Sequence, residues 1–251
     1  MGGAGVVSLF ARPMRRWVWI GVLTLAGCLD TVDENAWRGR DGLAVDVRGD
    51  DAPDGAMKAL ATFSEQVSSR ANIYGAGHGQ PPAPAGGGPG QLPVAIALPV
   101  GVDRVVQLTK VSGTISYFDG DPSKSADGGP SPGIKPLPTY GGLSGFITRD
   151  LRPGLTAVFL DDVEPQDPPP ASLDVGDATF SELSPGRRQI FWMGDGLTGT
   201  GSGATQRFHV PSGATRLFLG VIDRLHDTGS LPGFYQDNTG SFQVDGEILG
   251  R

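Results

Sequence analysis

Val105-Val106-Gln107-Leu108-Thr109-Lys110-Val111, inside the run Arg104–Phe118, sets its apolar side chains mostly on one face of an extended chain. Successive side chains of a strand point to opposite faces, so this alternation reads as a half-buried β-strand. Eight further short apolar runs read as strands, several with the same alternation: Glu65–Tyr74, Leu92–Leu98, Leu143–Thr148, Thr156–Leu160, Gln189–Met193, Thr205–Val210, Ala214–Asp223 and Ser241–Leu249. Clusters of Gly, Pro, Asp and Ser separate them. The chain carries 40 Gly and 21 Pro, which favours turns over helices. A short helix is expected only around Ala56–Val67. Nine short strands without a convincing amphipathic helix predict an all-β fold, an antiparallel β-sandwich or jelly roll. The connections 75–91, 119–142 and 161–186 are long and rich in Gly and Pro, and loops of that length are functional or disordered.

The N-terminal region has a different character. Arg12, Arg15 and Arg16 precede an apolar run from Trp17 to Ala26, too short to span a bilayer but fitting a secretory signal. The run ends Leu25-Ala26-Gly27-Cys28, which resembles the lipobox of bacterial lipoproteins, and Cys28 is the only cysteine. The resemblance implies cleavage after residue 27, acylation of Cys28 and anchoring in the cell envelope, with Leu29 favouring the outer membrane. Two or more acyl chains give stable anchoring where one does not. Residues 28–64 then form an acidic tether and 65–251 the folded domain. Arg48-Gly49-Asp50 in the tether spells an adhesion tripeptide, a match too short to carry weight. With one cysteine the domain has no internal disulfide. Net charge is −7 overall and −10 from Cys28 onward, which argues against nucleic acid as a partner and suits a cation.

Most candidate chemistries fall away on inspection. Gly194-Asp195-Gly196-Leu197-Thr198-Gly199 satisfies G-x-G-x-x-G, but a strand rather than a helix follows, so it reads as a glycine loop. His78, His209 and His226 lack zinc-ligand spacing, and His209 reads as a strand surface residue. No Gly-x-Ser-x-Gly elbow is present. Asp161-Asp162 would serve a glycosidase only if a second carboxyl faced the pair across a cleft. The chain is read as a non-enzyme.

One group of residues carries an argument of its own. Asp223 closes the run Ala214–Asp223, and Asp237-Asn238 lies in the loop before Ser241. Carboxylate, amide and carbonyl oxygens are the ligands of hard cations such as calcium, which takes six to eight. The alternative is a tight turn whose Asp and Asn cap their own backbone.

Three segments carry a resemblance: Val210-Pro211-Ser212-Gly213-Ala214-Thr215-Arg216-Leu217-Phe218-Leu219-Gly220-Val221-Ile222-Asp223, Pro232-Gly233-Phe234-Tyr235-Gln236-Asp237-Asn238-Thr239-Gly240-Ser241-Phe242, and Ser112-Gly113-Thr114-Ile115-Ser116-Tyr117. They resemble the small bacterial galactophilic calcium lectins and related exported jelly-roll proteins. The resemblance implies a galactose-binding-like fold. It also implies a calcium held by the side chains of Asp223, Asp237 and Asn238 and the backbone carbonyls of Tyr117 and Phe234, with two sugar hydroxyls completing its sphere. Where the family has His-Pro-Asp-Gln, this chain has Ser125-Ala126-Asp127-Gly128, leaving Asp127 as the ligand-binding candidate and no His or Gln for galactose. The loop after Asp223 is longer than in the lectins. Its His226 either closes the site or builds a new rim.

Overall fold

The computed structural model describes residues 56–177, 179–199, 201–224 and 230–251, the side chains of 150–152 excepted. The fold is all-β. Its strands are β1 (Lys58–Ser68), β2 (Val94–Ala97), β3 (Val105–Ser116), β4 (Gly129–Pro136), β5 (Phe146–Arg152), β6 (Thr156–Leu160), β7 (Leu173–Gly176), β8 (Glu182–Leu183), β9 (Ile190–Trp192), β10 (Leu197–Gly199), β11 (Ser202–Thr205), β12 (Arg207–His209), β13 (Arg216–Gly220) and β14 (Thr239–Gly250). One sheet has the order β1-β14-β3-β12-β8 and the other β2-β13-β6-β9. Consecutive strands β1, β2 and β3 alternate between the sheets, as do β12, β13 and β14 at the other end of the chain. This interleaving is that of a jelly roll. Pairing is antiparallel throughout these sheets except where the short β8 joins β12 in parallel.

Between the sheets lie Val67, Val106, Leu108, Ile115, Phe208, Phe242, Val244 and Ile248 from one side, and Ile96, Ala157, Phe159, Phe191, Leu217 and Leu219 from the other. Each fully buried large side chain contributes roughly 1.5–3 kcal/mol of transfer free energy. β6 is buried at all five positions because a second cluster covers the outer face of its sheet, with Val158, Ile190 and Trp192 packed among Tyr74, Leu143 and Phe146. A strand covered on both faces loses its alternation, which is why Ala157-Val158-Phe159-Leu160 is continuously apolar.

The alternation at Val105–Val111 changes phase within β3. Asp245 pairs with Lys110 and Gly246 with Leu108, so Thr109 is an extra residue on its strand. A bulge of this kind turns the following side chains to the opposite parity. Val106 and Leu108 face the core before it, Ile115 after it.

The expected helix around Ala56–Val67 is instead β1, paired with β14 from Lys58↔Gly250 to Ser68↔Ser241. Its inward side chains, Ala61, Phe63 and Val67, recur at period two, and this decides against a helix. Paired structure therefore begins inside the segment expected to be tether. The run expected as strand to Tyr74 ends earlier, and Ile73–Gly75 forms a 3-10 turn capped by the Asn72 side chain. The long connections hold structure of their own. β4, β5 and β7 make a small separate sheet, and the glycine loop after Gly194 is the hairpin β10–β11. Among the described residues no helix is long and apolar enough to cross a membrane.

Candidate metal centre

Asp223, Asn238 and Tyr117 are brought together by the ends of three strands. Thr239 pairs with Ser116, so Asn238 and Tyr117 sit side by side where the β3–β14 ladder ends. Asp223 arrives from β13 in the opposite sheet. The phenol of Tyr235, wholly buried, locks this junction: its oxygen accepts from Asp223 N at 3.0 Å and its O–H donates to the Val221 carbonyl at 3.1 Å. Burial holds that phenol well above its ordinary pKa, so it stays a neutral donor.

The loop 232–238 is braced from outside by residues 86–88. Phe234 N donates to Gly86 O at 3.0 Å, and Tyr235 N donates to Gly88 O at 3.3 Å. Phe234 has φ +70°, an uncommon left-handed conformation for a residue with a large side chain. Such a conformation persists only where the surroundings over-determine it. The Gly233 N–H donates to the Asp223 carbonyl at 3.2 Å, which ties the loop back to β13.

Two oxygens in this junction are buried and have no hydrogen-bond partner: Asp223 Oδ2 and Asn238 Oδ1. The rest of each side chain is occupied. Asp223 Oδ1 accepts from Arg224 N at 2.6 Å, and Asn238 Nδ2 donates to Ser69 O at 2.9 Å. An unsatisfied buried acceptor costs about 1–3 kcal/mol, more when charged. Burial pushes the Asp223 carboxyl up to about 7. The hydrogen bond from Arg224 N and the nearby Asn238 amide, which lies outside hydrogen-bond geometry, oppose that rise, and the charges of Asp237 and Asp121 add to it. A cation would relieve both the orphaned oxygens and the repulsion. The donors are all oxygens, the set that hard cations take and zinc does not favour. The residues present therefore fit calcium. Among the described residues no three His, Cys, Asp or Glu side chains converge as a metal cluster, so the fit rests on the buried Asp223 carboxylate and Asn238 amide oxygens, with the Asp237 charge acting beside them.

Asp237 is exposed on the rim, close enough for its charge to act on Asp223. Asp121 is a residue that reading along the chain does not single out. It is buried, its Oδ2 accepts from Tyr117 N at 3.1 Å, and its Oδ1 is paired with Lys124 Nζ at 2.9 Å. The signal available is its place four residues after Tyr117, in the turn Phe118-Asp119-Gly120-Asp121. Asp127 is drawn elsewhere. Its Oδ1 accepts from Asp195 N at 2.9 Å, and burial together with the Asp195 carboxylate raises it to about 6. That explains a buried carboxyl at this position by the Gly194-Asp195 turn it anchors. His226, Cys28 and Arg48-Gly49-Asp50 lie outside the described residues.

The other candidates are accounted for by their partners. Asp161 is paired with Arg187, and Asp162 Oδ1 accepts from Thr215 Oγ1 at 2.8 Å. His209 sits on β12 with Nε2 at 3.0 Å from Glu182 Oε2, a strand-surface contact in keeping with its sequence neighbours.

Comparison with family models, curated proteins and solved structures finds no match for this chain.

Proposed function

We propose that the chain is a calcium-dependent carbohydrate-binding protein, lectin-like in its site, carried on a lipid anchor at Cys28 in the bacterial cell envelope and most simply at the outer membrane. The observation that carries this reading is the pair of buried, unpartnered oxygens, Asp223 Oδ2 and Asn238 Oδ1, at the junction of the two sheets. The side chains of Asp223, Asp237 and Asn238 and the carbonyls of Tyr117 and Phe234 would hold the ion. When bound, calcium would offset the two carboxylates and offer remaining coordination positions to vicinal sugar hydroxyls, hard neutral oxygens that can replace water. The chain's own part is positioning. Tyr235 sets the Asp223 backbone, Ser69 orients the Asn238 amide, and the 86–88 segment holds Phe234 in its left-handed conformation.

Titration calorimetry with calcium tests the metal half. Saturable binding lost in Asp237→Ala supports it, and no binding to the wild type would sink it. Glycan-array binding that disappears with chelator tests the sugar half.

A second reading has its own support. Ser125 and Gly128 stand where the resembling lectins carry sugar-contacting His and Gln, and Asp127 is committed to the Asp195 turn. On that reading the chain is a structural or interaction lipoprotein whose ion only orders loops. Calcium would then raise the melting temperature while no glycan binds in a calcium-dependent way.

A further inference from the structure

The three most exposed large hydrophobic side chains among the described residues are Val100 at 99%, Val163 at 67% and Val102 at 63%. Single exposed apolar residues are ordinary on a protein surface, but several at one place mark an interaction site. These three project from the same end of the sandwich. Ala97 of β2 pairs with Arg216 of β13, and Arg216 pairs with Leu160 of β6, so Val100 and Val163 each lie three residues beyond that row. β3 starts from the loop that carries Val100 and Val102. Its first residue, Val105, pairs with Leu249, and Leu249 pairs with Ala59 at the start of β1.

The valine loop is stapled in place. Arg104 donates from Nη1 to the Pro99 carbonyl and from Nη2 to the Ala214 carbonyl, each at 2.8 Å. Val102 N donates to Arg251 O at 3.2 Å, and Arg251 N donates to Val102 O at 3.1 Å. The backbone is therefore fixed while both valine side chains face solvent.

Charge at this end does not repel an anionic surface. Asp103 is paired with Arg251 at 3.3 Å, Asp162 with Arg216 at 3.6 Å, and Asp161 with Arg187. Lys58 and Arg104 add two cations. Glu164, next to Val163, turns to His78, whose Nδ1 lies 2.9 Å from it and whose Nε2 lies 2.9 Å from the Gly141 carbonyl. One imidazole thus joins the three long loops. This end is slightly basic in a chain of net charge −7, and basic residues near a bilayer are drawn to its anionic lipids. Three valine tips offer far less than the roughly 800 Å² per partner of a stable protein interface. A bilayer needs only shallow apolar side chains among its headgroups.

The chain itself names the occupant. β1 begins at Lys58 at this same end, so the segment that leads from Cys28 joins the fold beside the valines. The proposed metal centre stands at the other end, past Ser116 of β3, and a strand of that length spans roughly 35 Å.

We propose that this end of the sandwich seats on an anionic phospholipid bilayer, with Val100, Val102 and Val163 among the headgroups and the proposed metal centre directed away from the membrane. The proposal rests on the Cys28 anchor, which would hold the chain at that surface.

Tryptophan quenching by brominated lipid tests it, using the full chain on vesicles of phosphatidylethanolamine and phosphatidylglycerol with brominated acyl chains. Val100→Trp and Val163→Trp report on the loops, and Phe118→Trp, half exposed beside Tyr117, reports on the far end. The difference from the wild-type chain gives each probe's signal. One sample is held by the acyl groups attached in the cell, and a second by coupling Cys28 to a maleimide phospholipid. Probes at 100 and 163 should be quenched about twofold or more while the probe at 118 stays nearly unquenched, because interfacial side chains reach about 5–10 Å into the headgroup–acyl boundary. Val100→Asp combined with Val102→Asp should abolish quenching at 163. Equal quenching at 100 and 118, or quenching at 163 that survives the two aspartates in a normally folded chain, would overturn the proposal. Mass spectrometry of Cys28 reads the anchor separately. An unmodified Cys28 with strong loop quenching in the coupled sample would count against the anchor reading alone, and an acylated Cys28 without loop quenching would count against the seating alone.

Discussion

Asp223 carries the energetic tension of the proposed metal centre, and its titration sets a measurable sign. Its folded-state value of about 7 lies above the ordinary carboxyl range, so between pH ~4 and 7 the folded chain binds a proton that the unfolded chain has released. Metal-free stability therefore falls as pH rises through that window, by on the order of 4 kcal/mol from this group. Asp127, raised to about 6, adds a slope of the same sign over a narrower range. Asp223→Asn removes the buried charge, and in chelator at pH 8 the variant should unfold at higher denaturant than the wild type. In calcium the order should reverse. Urea melts with and without calcium decide it, and a variant less stable in both conditions would refute burial as the main cause of the raised value. Tyr235→Phe tests the neighbouring contact. Removing a buried hydroxyl that joins Asp223 N to Val221 O should cost about 1–3 kcal/mol in the same melts and weaken calcium binding.

At the scale of elements, the junction depends on how loops are seated against strands. Gly90 lies at φ +75°, and a Cβ there would crowd the Arg70 carbonyl and sit 2.8 Å from Tyr235 Cβ. Gly90→Ala should lower stability by about 1–3 kcal/mol through the strained conformation alone, and more where the contact cannot relax. It should weaken calcium affinity as well, because Tyr235 and Asn238 both shift. Denaturation and calcium titration on one sample check this, and wild-type behaviour in both would show that the 86–90 segment is not a brace. Elements also mark where a reading along the chain succeeds. β6 coincides with its expected run because its apolar residues are contiguous, and β3 differs by one or two residues at each end. β1 reads in part as a helix because Ala59, Leu60 and Ala61 favour helix locally, and only pairing with β14 selects the extended form. β4, β7 and β8 carry too little apolar character to announce themselves. They exist through their neighbours.

For the whole molecule, calcium should act as a ligand of the folded state. At about 100 times its dissociation constant it adds about 2.7 kcal/mol, which for a domain near 200 residues corresponds to a rise in Tm of roughly 5–10 °C. Scanning calorimetry with calcium, magnesium and chelator measures it, and equal shifts with both ions would argue against a site built for the larger cation. The closure of the two sheets is what makes that linkage global. β14 pairs with both β1 and β3, and Asn238 stands just before it, so the proposed metal centre is attached to the longest ladder in the fold.

The alternation of short apolar runs, the turn residues between them and the oxygen-bearing group Asp223, Asp237 and Asn238 were determined by the chain alone, because each is a local pattern of side-chain type and spacing. Which sheet each strand joins, the approach of Asp223 to Asn238, the turning of Asp127 toward Asp195 and the meeting of three long loops around His78 were decided only by the tertiary structure. Those outcomes depend on contacts between residues far apart in the chain, the longest of them pairings such as β3 with β14. No spacing along the chain encodes what the closing of two sheets brings into contact.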